Sequence, residues 1–312
     1  MKNLKVVFMG TPTFAEPILE KLINLTRVEL VVTQPDKIVG RKKILTPSPI
    51  KKLALENNIE IFTPSKIKEE YQKILDCKPD LIVTCAYGQI IPKILLDCPK
   101  YGCINVHASL LPKYRGGAPI QASLLNGDKE TGVTLMYMAE GMDDGDIITE
   151  KRISIEDNDD IHSLSQKLST LGADILAENL SDIINGKITR IKQNSEEVSF
   201  AFIPKREEEK LDFNNPANIL NNKVRALTPY TYAIFKNQEM KIVKSKYIDE
   251  VASGKNGEIV KVDKNSFYIK CKKGLLQVLE ITPFSKKNML VRDYFNGIKK
   301  ESLIGEVLNE ER

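Results

Sequence analysis

The chain has 312 residues, of which 28% are charged and 42% hydrophobic, and carries a formal net charge of +4. At about 100–200 residues per domain this is two domains or one large one, and the composition excludes a collagenous, disordered or membrane-spanning chain. No apolar run approaches the roughly 18 residues of a membrane helix, and Met1–Gly10, interrupted by Lys5, reads as a first buried strand rather than a signal peptide. Five cysteines, an odd number with no C-x-x-C pair, argue against a disulfide framework or a zinc site and fit a reducing cytosol.

Lys5–Met9 is a continuous apolar run stopped by Gly10, the pattern of a strand buried on both faces. Thr11-Pro12 reads as an N-cap with proline at the first helical position, opening a helix through Phe14, Ile18, Leu19, Leu22 and Ile23. Strands are expected at 28–33, 60–62, 81–86, 102–107, 132–138 and 147–153, and helical segments at 50–56, 67–75 and 92–96. Residues 161–185 form a long amphipathic helix with Leu164, Leu168, Leu171, Ile175 and Leu176 on one stripe. Strands separated by helix-length segments predict an α/β fold, a mostly parallel doubly wound sheet covered on both faces. The polar stretch 195–209 reads as a linker between a domain over 1–194 and a second, smaller one over 210–312. There, a helix at 217–227 precedes short alternating runs at 232–235, 240–244, 257–262, 266–271 and 275–281, which predict a small β-barrel.

Charge is unevenly spread. Residues 1–204 carry 25 Lys and Arg against 27 Asp and Glu, whereas residues 205–312 carry 21 against 15. Between Asp36 and Lys52, six cations (Lys37, Arg41, Lys42, Lys43, Lys51 and Lys52) face Asp36 as the sole acid. A basic C-terminal third and a basic loop suggest a polyanionic partner, nucleic acid more readily than a membrane because no amphipathic basic helix is present. The plainer alternative is ordinary solubilising lysine.

Gly10-Thr11-Pro12-Thr13-Phe14-Ala15 lacks the later glycines of a dinucleotide fingerprint, and there is no G-x-x-x-x-G-K-[ST], so neither NAD nor ATP is held in those ways. The chemistry concentrates at 104–120. Side chains at i and i+2 of a strand face the same way, so Asn105 and His107 project together towards the carboxyl end, where open α/β sheets bind ligands. The loop that follows, with Pro112, Gly116, Gly117 and Pro119, makes a rigid wall beside a cleft. Glu140-Gly141-Met142-Asp143-Asp144-Gly145-Asp146 is a tight turn between two strands and too short for an EF-hand. Its carboxylates bond their own backbone or make a weak cation site, or Asp143 meets His107 as an imidazole–carboxylate couple that raises the basicity of the ring and fixes its tautomer. His162, just after Asp157–Asp160, reads as a surface or capping residue.

Four segments together resemble the methionyl-tRNA formyltransferase family over essentially the whole length. They are Phe8–Ala15; Thr33–Lys37 through Gly40-Arg41-Lys42 and Pro47-Ser48-Pro49; Asn105-Val106-His107 with Ser109-Leu110-Leu111-Pro112 and Arg115–Ile120; and Asp143–Asp146. The resemblance implies a Rossmann-like formyltransferase domain and a C-terminal tRNA-binding barrel. The implied reaction moves the formyl group of 10-formyltetrahydrofolate to the α-amino group of methionine on initiator methionyl-tRNA, for translation initiation. Asn105, His107 and Asp143 would be catalytic. Ser109, Leu110, Leu111 and Pro112 would wall the folate site, with the backbone of Tyr87, Gly88, Gln89 and Ile90 against the pterin. Lys37, Arg41, Lys42 and Lys43, on a flexible loop, would hold the tRNA acceptor end. No metal, membrane or protein partner is implied, and the location would be cytoplasmic. The Asn-x-His…Ser-Leu-Leu-Pro element alone fits any 10-formyltetrahydrofolate-dependent formyltransferase. Transfer to a small amine such as an amino sugar nucleotide therefore stands as an alternative, beside a non-catalytic RNA-binding protein of the same fold.

Overall fold

In the computed structural model, which describes residues 1–40 and 43–310, β1 (Lys5–Gly10) lies inside a seven-stranded sheet with Val6–Met9 wholly shielded from solvent. The chain continues through α1 (Glu16–Leu25), β2 (Arg27–Val32), β3 (Lys37–Val39), β4 (Ile44–Thr46), α2 (Pro49–Glu56) and β5 (Glu60–Phe62). Then come α3 (Gln72–Cys77), β6 (Leu81–Cys85), α4 (Lys93–Asp97), β7 (Cys103–His107) and α5 (Pro119–Asn126). β8 (Glu130–Tyr137), β9 (Ile147–Ser154) and α6 (Ile161–Ile184) complete this part. The strand order is β5-β2-β1-β6-β7-β8-β9, parallel from β5 to β7 and antiparallel at β8 and β9.

Both faces of the central strands β1 and β6 are covered, which is why the runs Val6–Met9 and Leu81–Val83 are apolar rather than alternating. On one face Val7, Met9, Leu30, Val32, Ile82 and Cys103 pack with Ile67, Ile74 and Leu95. Asn105 and His107 continue the Cys103 row on that face. On the other face α6 comes down on Val106. A Cβ added to Gly172 would lie 2.8 Å from a Val106 methyl carbon, so glycine permits the approach.

Two local expectations are corrected. Thr11 caps nothing: the helical turn Thr13–Ala15 follows Pro12 without a side-chain cap, and Thr11 Oγ1 donates to the carbonyl of Tyr87 at 3.1 Å. The hydroxyl serves a tertiary contact instead of the local one. The basic loop is not a featureless loop. Its aliphatic residues, three of them β-branched, pair as the antiparallel hairpin β3–β4, with Ile38 opposite Leu45, Val39 opposite Ile44, and all four exposed. Its base is fixed by Lys51 Nζ on both Asp36 oxygens at 2.8 Å and by the Thr33–Ser48 hydroxyl pair at 2.7 Å. His162 is exposed, and Asp160 caps α6 by accepting from the N–H groups of His162 and Ser163.

The chain folds as two compact units. One comprises Met1–Pro119, Glu130–Ser154 and Leu164–Phe202; the other comprises Ile120–Lys129, Ile155–Ser163 and the chain from Ile203 onward. The second unit contains α7 (Ala217–Leu227), β10 (Tyr232–Phe235), β11 (Gln238–Ile248), β12 (Ile259–Val262), β13 (Phe267–Lys270), β14 (Leu275–Thr282), β15 (Met289–Leu290) and α8 (Val291–Tyr294). The antiparallel order β10-β11-β14-β13-β12 leaves β10 and β12 as edges, and β15 pairs with β14. The C-terminal segment spans the two edges. Leu308 N donates to Gly257 O and Ile259 N to Glu306 O beside β12; at β10, Asn309 exchanges bonds with Ile234 at 2.7 and 2.8 Å. Edge strands left unpaired invite association, and this closure removes both. Within the same unit Arg225 Nη1 donates to the carbonyls of Glu156, Asp157 and Asp159 at 3.1, 3.3 and 3.1 Å. No helix among the described residues is long and apolar enough to cross a membrane.

Candidate active site

Asn105 and His107 share the face that the two-residue period assigns them, and the β8–β9 connection folds back over it with Asp143. Thr84 Oγ1, opposite Asn105 in register, lies 2.9 Å from Asn105 Oδ1 and occupies the carboxamide oxygen. The amide NH₂ therefore points into the crevice, 3.4 Å from Asp143 Oδ1. His107 is only 5% exposed. Its Nε2 lies 3.0 Å from the carbonyl of Tyr114, and a carbonyl only accepts, so Nε2 carries a proton. In the neutral ring Nδ1 is then a lone pair, 3.7 Å from Asp143 Oδ2. That separation is too long for a hydrogen bond but short enough for a strong charge interaction once Nδ1 is protonated. Asp143 thus comes close to His107, but it is Tyr114 O that holds the tautomer, and Asp143 faces the free nitrogen.

Asp143 is itself positioned by backbone. Its Oδ2 accepts from Gly116 N at 2.8 Å, and its φ of 48° lies in the left-handed region that Asp tolerates better than most residues. Tyr114, whose carbonyl holds His107, has φ 63°, a conformation that costs a bulky residue about 1–3 kcal/mol and persists only where its surroundings enforce it. Tyr114 N donates to Ser199 Oγ at 3.0 Å and Arg115 N to Ser199 O at 2.8 Å, which pins that turn. Gly116 has φ 115°, and a Cβ there would meet Ala201 O at 2.7 Å.

Sequence reasoning missed the group that ties these pieces together. Gln193 Nε2 donates to the carbonyls of Asp143 and Gly145, both at 2.8 Å. Its Oε1 accepts from Arg115 Nε at 3.1 Å and Nη2 at 2.8 Å. One amide thus holds the Asp143 turn and the loop after β7 in fixed relation, with all its hydrogen-bonding capacity in use. Cysteine chemistry is not poised in the crevice: burial pushes the Cys85 and Cys103 thiols up, and in the other unit Cys271 up to about 12.

The other sequence-predicted site residues divide by exposure. Tyr87, Ser109 and Leu111 are buried: Tyr87 O accepts from Thr11 and Gln34, Ser109 Oγ donates to Lys113 O, and Leu111 packs with Met136 and Ile147. Gln89 is engaged by its side chain, accepting from Ile67 N at 2.8 Å. Gly88 and Ile90 are exposed, and Leu110 and Pro112 half-buried, so these four present surface to a ligand. Lys37 opens β3 opposite Thr46 and Lys43 lies in the turn just before β4, whereas Arg41 and Lys42 lie outside the described residues. Among the described residues no cluster of three His, Cys, Asp or Glu side chains could hold a metal ion.

Residues 3–180 match the family described as Formyl transferase, and residues 204–299 match Formyl transferase, C-terminal domain. Methionyl-tRNA formyltransferases of Listeria welshimeri and Bacillus subtilis are each 45% identical to this chain. The first covers 97% of this chain and 99% of its own, the second 97% of both. Among solved structures, a sugar 3N-formyl transferase with dTDP and 5-N-formyl-THF superposes with TM-score 0.67 at 23% identity, over 92% of this chain and all of that one. An N-formyltransferase of Helicobacter canadensis with folinic acid and dTDP-3-aminofucose gives 0.67 at 21%, over 89% and 99%. At those identities the structures show the fold; the near-full-length relatives show the branch, and the chain belongs to the methionyl-tRNA formyltransferase family.

Proposed function

We propose that this chain transfers the formyl group of 10-formyltetrahydrofolate to the α-amino group of methionine on initiator methionyl-tRNA, with Asn105, His107 and Asp143 as its catalytic residues. The observation that carries the assignment of roles is their convergence. The Asn105 amide N–H and the His107 Nδ1 lone pair both face Asp143, at 3.4 and 3.7 Å.

The amine nitrogen attacks the formyl carbon and the carbonyl oxygen becomes an oxyanion. Asn105 Nδ2 donates to it, a contribution worth about 3–4 kcal/mol where the geometry is right. The attacking nitrogen must lose a proton, and His107 Nδ1 is the available lone pair because Nε2–H is committed to Tyr114 O. The imidazolium so formed faces the Asp143 carboxylate, which stabilises it. Collapse of the intermediate breaks the bond to N10, which takes up the proton held on His107 Nδ1 as tetrahydrofolate leaves, returning the ring to its neutral form. The formyl donor is already activated, so positioning and charge stabilisation suffice.

Gly88, Ile90, Leu110 and Pro112 offer the exposed part of the folate wall, and buried Tyr87, Ser109 and Leu111 shape it from behind. The hairpin carrying Lys37 and Lys43, with Arg41 and Lys42 between its strands, engages the acceptor end. Residues 210–312 contact RNA backbone further along, in a cytoplasmic setting. The test supplies 10-formyltetrahydrofolate with either methionyl-initiator-tRNA or free amino sugar nucleotides; transfer to the charged tRNA alone is expected. Asn105→Ala or His107→Ala should cut the rate at least about a hundredfold with tRNA affinity nearly intact. An equal loss of affinity would contradict the roles assigned.

A further inference from the structure

We propose that Phe200 and Phe202 form a stacking platform for the unpaired terminal base of the RNA that carries the reacting amine; this rests on the substrate reading given above. Residues 199–202 run extended beside the loop after β7. Ala201 N donates to Arg115 O at 2.8 Å and Ala118 N to Ala201 O at 3.1 Å. Alternation along this segment turns Ala201 inward, 3% exposed, and turns Phe200 and Phe202 outward, 54% and 70% exposed. Two phenylalanines on the wet side with an alanine on the dry side reverse what burial favours, and a contiguous apolar patch of this kind marks an interaction site.

The rings are close to parallel, 6° apart, and stacked with centroids separated by 6.0 Å, so the pair offers an outer π face on which a further ring can stack. Single-stranded nucleic acid is held on such aromatic surfaces because every base has a π face. The position fits the chemistry. Phe200 is the register partner of Arg115, and the next residue, Gly116, donates its N–H to the Asp143 carboxylate. The platform therefore begins one residue pair from the carboxylate, and exposed Met142 extends the apolar rim towards it, its sulfur 3.5 Å from where a Gly116 Cβ would lie. An aminoacyl ester joins its amine through a single ribose to a single base. When the amine sits at His107 and Asp143, that base lies within reach of the rings.

The probe is methionyl-initiator-tRNA with 2-aminopurine in place of the terminal adenine, bound without formyl donor. We expect its fluorescence to be quenched on the wild-type protein, not on the Phe200→Leu/Phe202→Leu double variant, and again on Phe200→Tyr/Phe202→Tyr. With the donor present, the leucine pair should raise KM for methionyl-tRNA about tenfold, with kcat within about twofold of wild type. The tyrosine pair should behave as wild type. Leucine keeps the surface apolar and the fold intact, which a thermal melt checks. Unquenched wild-type complex, an unchanged KM for the leucine pair, or equal loss in both pairs overturns the platform. So does a KM defect that persists on tRNA with an abasic terminal nucleotide, which would assign the rim to the methionine side chain. Absence of formyl transfer to any charged tRNA by the wild type would instead remove the substrate reading, independently of the quenching result.

Discussion

Gln193 shows how a residue far from the reacting atoms sets their geometry. Removing its amide leaves the carbonyls of Asp143 and Gly145 without their donor and takes the Arg115 guanidinium's acceptor away. We expect Gln193→Ala to lower kcat by about ten- to a hundredfold, as an ångström of misplacement does, with little change in KM for tRNA. Steady-state kinetics check this. Gln193→Glu should fare no better, because its second oxygen would face the two carbonyls with no hydrogen to offer. Asn105 and His107 are legible in the sequence because strand periodicity alone puts them on one face. Asp143 is legible as a candidate because its turn joins two recognisable strands. Gln193 carries no such signal, lying 50 residues from Asp143 at the very end of the domain expected over 1–194, just before the polar stretch that reads as linker. The carbonyl of Tyr114 is less visible still, since a backbone group has no side-chain signature.

At the scale of elements, apolar runs buried on both faces announce the central parallel strands, whereas the reversal at β8 and β9 carries no such mark. The β3–β4 hairpin is obscured for a different reason: its lysines draw attention to charge while its pairing is carried by Ile38, Val39, Ile44 and Leu45. The β12–β13 turn supports a prediction on pH. Burial would raise the Asp263 carboxyl, but bonds from Tyr268 Oη, Asn265 N and both polar groups of Ser266 outweigh it and hold it below the usual aspartate value near 3.8. A carboxyl held low in the folded state stabilises the fold above its ordinary value, and that stabilisation is lost progressively as pH falls from there through the lower folded-state value. Asp263→Asn should therefore lower the unfolding midpoint at neutral pH and lose less further stability between about pH 5 and about pH 3 than wild type does. Parallel thermal melts across that range test it; identical acid sensitivity would contradict it.

Over the whole molecule, charge separates into an acidic first two-thirds and a basic remainder, with the Lys37–Lys43 hairpin as a basic exception. If that hairpin meets phosphates, neutralising Arg41, Lys42 and Lys43 together should shallow the logarithmic dependence of tRNA affinity on salt by about one for each phosphate no longer neutralised. A titration at several ionic strengths reads this, and an unchanged slope places the phosphate-binding residues elsewhere. The grip of Arg225 on the carbonyls of Glu156, Asp157 and Asp159 has a consequence for anyone dissecting the protein. The basic third is not finished by its own stretch of gene: expressed from residue 204 onward it would start life with a half-sunken guanidinium whose three carbonyl partners were left behind in the discarded fragment.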